Sequence, residues 1–76
     1  MSKPTKITNS IRALRFAHGE MTQAQLAYQV GVTRQTIIAI EQGRYSPSLE
    51  MAFHIARVFR VALEEVFQFP DDGEVR

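Results

Sequence analysis

Between Gln23 and Glu41 two short amphipathic stretches are separated by Gly31, and this spacing limits the possible folds more than any other feature of the chain. Leu26, Ala27 and Val30 share one side of a helix expected over 23–30, and Ile37 and Ile40 share one side of a second over 34–42. Each stretch follows a threonine, Thr22 and Thr33, whose hydroxyl can accept a bond from an unpaired N–H of the first turn. Gly31 supplies the positive φ that a sharp turn demands, and Ala27 is small where two helices must cross closely. Neither helix is long enough to be stable alone, so the two must lock together and onto a third element.

The rest of the chain supplies that support. Ile11, Leu14 and Phe16 or Ala17 recur at helical spacing over 9–18, with Gly19 as the expected C-terminal cap. The turn chemistry of Gly43-Arg44-Tyr45-Ser46-Pro47 marks a loop, after which Ser48 caps a longer helix through about Arg60. Its core side is expected to carry Leu49, Ala52, Phe53, Ala56 and Phe59, and Leu63, Val66 and Phe67 suggest a short fifth helix. The expectation is an all-α, five-helix domain over 9–69, preceded by a flexible segment over 1–8. An acidic, extended tail is expected over 70–76.

Two helices joined by a tight glycine turn form a helix-turn-helix, and the second of them has the chemistry to read DNA. Arg34, Gln35, Ile38, Ala39 and Gln42 lie on its outward face at spacings of three and four. Arg34 can donate two bonds to guanine O6 and N7, and Gln35 can bridge adenine N6 and N7. Ile38 suits either a thymine methyl or packing on a neighbouring helix or subunit. Gln23, with Thr22 beside it, stands at the positive end of a helix dipole, where a phosphate oxygen is favoured. Gln42, Gly43 and Arg44 can clamp the next phosphate with Tyr45 as a further donor, contacts that set register and carry no sequence information.

The charge distribution agrees with this reading. Residues 1–60 carry eight Lys/Arg against three Asp/Glu, a balance of +5, whereas 61–76 carry one Arg against five acids, a balance of −4. A basic body can meet phosphates while an acidic end stays clear of them, although an ordinary solvated surface with a charged end has the same count. With 76 residues, 45% of them hydrophobic and 22% charged, the composition is that of a small soluble globular domain with no room for a separate effector domain. The absence of cysteine excludes disulfides and thiolate metal sites. No apolar run approaches the roughly 20 residues of a membrane span, and no apolar segment follows the basic N-terminus to make a signal peptide. A cytoplasmic protein with no cofactor, no metal and no small-molecule effector is expected.

The runs Met21-Thr22-Gln23-Ala24-Gln25-Leu26-Ala27, Gly31-Val32-Thr33-Arg34-Gln35-Thr36-Ile37 and Ile40-Glu41-Gln42-Gly43-Arg44-Tyr45-Ser46-Pro47-Ser48-Leu49 together resemble the lambda-repressor/Cro type, or XRE family, of helix-turn-helix regulators. The resemblance extends from about Ile11 to Phe69 and is closest to small single-domain prokaryotic members. It implies a five-helix domain that binds pseudo-palindromic double-stranded DNA as a homodimer, with the third helix in the major groove. It places Thr33, Arg34, Gln35, Thr36 and Ala39 at or near the bases, and Gln23 and the Gln42-Gly43-Arg44 turn on phosphates. Ala39 departs from relatives that carry a long polar residue there, which shifts base reading toward Arg34 and Gln35. The His18-Gly19-Glu20 turn is one residue longer than in many relatives. The resemblance further implies an inter-helix salt bridge between Arg15 and Glu41, and a dimer interface involving Ser46, Leu63, Phe67 and Phe69. Phe67 and Phe69 would otherwise cover the monomer's own core.

An enzyme finds little support, since His18 and His54 are isolated from any metal-ligand spacing and Ser46 and Ser48 read as loop and cap residues. A transcriptional repressor acting by occlusion is the expected function. Activation is also compatible, since no polymerase-contacting patch marks the sequence either way, and an antitoxin or protein-interaction adaptor on the same fold is the alternative.

Overall fold

The computed structural model describes residues 5–70, which form five helices and one two-residue antiparallel strand pair. In chain order these are β1 (Thr8–Asn9), α1 (Ile11–Ala17), α2 (Gln23–Val30), α3 (Arg34–Glu41), α4 (Leu49–Phe59), α5 (Leu63–Val66) and β2 (Phe67–Gln68). The expected all-α, five-helix fold is present, and the strand pair is a minor addition that ties its two ends together. Thr8 lies opposite Gln68 and Asn9 opposite Phe67, while the Ser10 N–H donates to the Val66 carbonyl at 2.8 Å.

The helix boundaries follow from side-chain chemistry. Thr22 accepts from the Gln25 N–H at 2.9 Å while the Gln25 carboxamide accepts the Thr22 N–H at 2.8 Å, a reciprocal capping box. Thr33 and Ser48 cap α3 and α4 singly, their hydroxyls accepting the N–H of Thr36 and Met51 with no reciprocal bond. At the other end of α2, Gly31 has φ +78°, its N–H reaches Tyr28 and the Val32 N–H reaches Ala27, so the helix closes with a Schellman motif. Gly43 ends α3 with the same pattern, and Arg60 ends α4 with it despite being a non-glycine residue at φ +60°.

The core is one cluster in which Ile11, Leu26, Ala27, Ile37, Ile40, Ile55, Ala56, Phe59 and Val66 are all buried. Each helix contributes to it, so α2 and α3 are fixed by contact with α1, α4 and α5 rather than by their own propensity. His18 adds a polar tie, with Nδ1 2.9 Å from the Leu14 carbonyl and Nε2 3.1 Å from that of Phe59, bridging the C-terminal ends of α1 and α4.

The structure corrects several expectations. Leu49 and Phe53 do not line the core and are 67% and 50% exposed. The buried face of α4 is Ala52, Ile55, Ala56 and Phe59, an i, i+3, i+4, i+7 set that includes Ile55 and leaves Phe53 about 100° away from Ala52. Phe67 belongs to β2 and not to the fifth helix, because pairing with Asn9 draws the chain into extended conformation. Asn9 likewise precedes α1 as a strand residue. The helix ends at Ala17, and Gly19 and Glu20, at φ +78° and +56°, form the turn beyond it. In the expected flexible segment, the part over 5–8 is engaged: Thr8 pairs with Gln68, and the Thr5 N–H donates to the Gly43 carbonyl at 3.2 Å. Residues 1–4, and the acidic tail from Asp71 onward, lie outside the described residues.

Candidate nucleic-acid interface

The position of α3 is set by a polar cluster on its inner edge. Arg15 of α1 grips Glu41 in a fork, Nε to Oε2 at 2.7 Å and Nη2 to Oε1 at 3.1 Å, and its Nη1 donates to the Met21 carbonyl at 2.8 Å. Both side chains are about nine-tenths withdrawn from solvent, with relative exposures of 8% and 10%. Gln23 of α2 joins them, donating from Nε2 to Glu41 Oε1 at 3.2 Å. Three helices therefore converge on one carboxylate at the end of α3, and a planar guanidinium fork fixes its orientation as a point charge would not.

A second tie comes from Asn9, which the sequence reading did not single out. Its Oδ1 accepts from the Ile11 N–H at 3.1 Å, capping α1, while its Nδ2 donates to the Ile40 carbonyl at 3.0 Å and more weakly to that of Glu41 at 3.4 Å. One amide thus satisfies orphan groups at the start of α1 and the end of α3. An Asn two residues before the first helical position was the available signal.

With its inner edge held, α3 turns the opposite face outward. Arg34, Gln35 and Gln42 are exposed on that face, and Ile38 and Ala39 are half-buried between them. Ile38 lies outside the residues packed on the core cluster. The Thr33 and Thr36 hydroxyls sit 3.0 Å apart in the capping turn, where the Thr33 oxygen also accepts the Thr36 N–H at 3.2 Å, so both are engaged locally.

Beside this face runs an open groove of about 740 Å³ between α1 and the ends of α2 and α3, lined among others by Arg12, Gln23, Ala24, Arg34, Glu41 and Gln42. The N–H groups of Gln23 and Ala24, in the first turn of α2, have no acceptor among the described residues and stand at its wall. Arg44 lies past the end of α3 with its Nε on the Gln42 carboxamide oxygen at 2.8 Å. Gly43 occupies the left-handed turn between them, and Tyr45 is exposed next in the loop.

The residues expected at an interface between subunits divide. Leu63 and Phe67 are half-buried against the core of their own chain, Ser46 is half-buried in the loop before α4, and Phe69 is 71% exposed. No helix of the described residues is long and apolar enough to cross a membrane.

Comparison with known proteins converges on one family. Residues 11–66 match the Helix-turn-helix family (HTH_3). An uncharacterized HTH-type transcriptional regulator of Methanocaldococcus jannaschii is 50% identical over 64 residues, covering 84% of this chain and 96% of that protein. One named YgzD, from Bacillus subtilis, is 42% identical over 65 residues, covering 86% of this chain and 97% of its own length. Among solved structures, the restriction-modification controller protein C.AhdI of Aeromonas hydrophila superposes with a TM-score of 0.65 at 29% identity, over 72% of this chain and 78% of that one.

Proposed function

The chain belongs to the Helix-turn-helix family of DNA-binding transcriptional regulators, and from this premise we propose that it is a repressor that binds a two-fold operator as a homodimer. The observation that carries the reading is the outward face of α3, where Arg34, Gln35 and Gln42 are exposed on a helix whose inner edge is locked by the buried Arg15–Glu41 fork. A rigid helix presenting exposed long polar side chains can enter a major groove with little further ordering cost. Arg34 and Gln35 then read guanine and adenine, Ile38 and Ala39 meet a thymine methyl, and Thr33 and Thr36 lie close to the base edges from the capping turn.

One strand of the duplex would be held by the free first-turn N–H groups of α2 with the Thr22 hydroxyl and Gln23 carboxamide, and again by Gln42, Gly43, Arg44 and Tyr45. Gln23 keeps one amide hydrogen for a phosphate after donating the other to Glu41. The dimer would form through the end carrying Ser46, Leu63, Phe67 and Phe69, of which Phe69 offers the most uncovered apolar surface. Two subunits place their α3 helices in successive major grooves about 34 Å apart, and repression follows from occluding polymerase.

An anisotropy titration of the DNA upstream of the protein's own gene against scrambled duplex, at about 150 mM salt, tests this reading. Strong preference for the upstream DNA supports a self-regulating repressor. Equal and weak binding to both, with another protein co-purifying, would turn the reading toward an adaptor.

A further inference from the structure

Arg12 lies outside the two-helix motif, yet it lines the same groove as Gln23, Arg34 and Gln42. Three arginines reach that groove and their charges are not equivalent. Arg15 is buried and spent on Glu41, whereas Arg12 and Arg34 are exposed and have no carboxylate within ion-pair distance among the described residues. Glu20 is the other acid on the groove wall, so the wall carries Arg12 and Arg34 against one unpaired carboxylate.

The Arg12 side chain is also organised. Its guanidinium carbon lies 5.4 Å from the centre of the Phe16 ring, one turn further along α1, and the Arg15 guanidinium lies 5.7 Å from the same ring. Phe16 is 54% exposed, so its ring is open at the surface to the guanidinium stacked on it. Stacking on a ring face uses the guanidinium's π-surface and leaves its N–H donors at the edge free for an acceptor. The buried Arg15–Glu41 fork in turn holds α1 against α3, so the donors of Arg12 are carried at a fixed offset from the recognition face.

We propose that Arg12 is a phosphate-binding residue for the DNA backbone, contributed by α1 and held by Phe16, and that it extends the footprint beyond the two-helix motif. This rests on the DNA-binding reading. A duplex strand anchored at the start of α2 and at Gln42 crosses the mouth of the groove whose third wall bears Arg12. The ligand is the phosphodiester and not a base, because a residue on α1 stands behind the helix that enters the major groove.

The test is the salt dependence of duplex binding by the wild type, Arg12→Gln, Arg12→Lys, Phe16→Leu and, as a control on the far helix, Arg57→Gln. Each lost phosphate contact makes the slope of log affinity against log salt shallower by about 0.9, so a dimer should lose nearly 2. At about 0.15 M salt this is a roughly fivefold weakening per contact. Arg12→Gln should weaken operator and scrambled duplex by the same factor with unaltered thermal melting, Arg12→Lys should restore most of the slope, and Phe16→Leu should weaken binding partway. Arg57→Gln should leave the slope unchanged. A wild-type slope in Arg12→Gln, in a protein that binds DNA, overturns the assignment alone; a wild type with no affinity for any duplex overturns the DNA-binding reading and the assignment with it.

Discussion

Arg15 and Glu41 meet in a two-point contact, 2.7 Å and 3.1 Å, in an interior where neither has much access to water. Such a pair is costly to break from one side, because the surviving charge stays buried without a partner. Glu41→Ala should lower stability by about 3–5 kcal/mol, a large share of what a domain this small possesses. The double substitution Arg15→Met with Glu41→Leu should recover most of the loss, since an apolar pair of similar volume carries no desolvation penalty. Thermal unfolding of the three proteins decides it, and wild-type melting in Glu41→Ala would contradict the role assigned to the pair.

Asn9 offers a finer dissection, because its two polar atoms serve two helices. Asn9→Asp keeps an oxygen for the Ile11 N–H but loses the donor to the Ile40 carbonyl and sets a negative charge against the negative end of α3. It should therefore cost at least as much as Asn9→Ala, about 1–2 kcal/mol, even though it retains the cap. Melting of Asn9→Asp at the wild-type temperature would show that the α3 contact contributes nothing.

Arg60 holds φ +60° at the end of α4, a conformation that costs an L-residue roughly 1 kcal/mol or more and a glycine almost nothing. Against this, glycine loses more freedom on folding, so Arg60→Gly should gain about 0.5–1 kcal/mol net and raise the melting temperature by a few degrees. A lower melting temperature would mean that the Arg60 side chain itself contributes to the fold.

Arg34 and Arg44 should behave differently on DNA. Arg34→Ala should cost about 1–3 kcal/mol on the preferred operator and relax one base position, whereas Arg44→Ala should weaken all sequences alike. Competition titrations with operator and random duplex separate the two. Equal losses on both duplexes for both variants would remove the division between base and backbone contacts.

The association state can be read by sedimentation at micromolar concentration. A dimer mass for the wild type and a monomer mass for Phe69→Ser are expected if the exposed Phe69 ring is a buried anchor between subunits. A monomeric wild type would contradict the interface.

Much of this architecture could be read from the chain because its signals are local. Thr22, Thr33 and Ser48 are caps wherever a helix follows them, and Gly31 and Gly43 are stops for the same backbone reason. Local signals fail where tertiary context decides. Leu49 and Phe53 are large and apolar, which points to the core, but the face that packs is the i, i+3, i+4, i+7 set of Ala52, Ile55, Ala56 and Phe59, so Ile55 takes the buried place and the other two face outward. The strand pair of Thr8–Asn9 with Phe67–Gln68 is two residues long and joins positions about sixty residues apart, so no periodicity announces it. In the candidate site, the outward positions of α3 follow from the helical period alone. The local cap of Asn9 on α1 is a sequence signal, but its bond to the end of α3 and the place of Arg12 on the groove depend on how α1 packs beside α3.

The most direct test of the central claim, that the outward face of α3 recognises a specific duplex, is selection of binding sites from a pool of random-sequence DNA at about 150 mM salt, with Arg34→Ala run in parallel. The wild type should enrich an inverted repeat with half-sites about one helical turn apart, and Arg34→Ala should lose one position in each half-site. A pool that stays random after repeated rounds, from a folded wild-type protein, would contradict sequence-specific recognition.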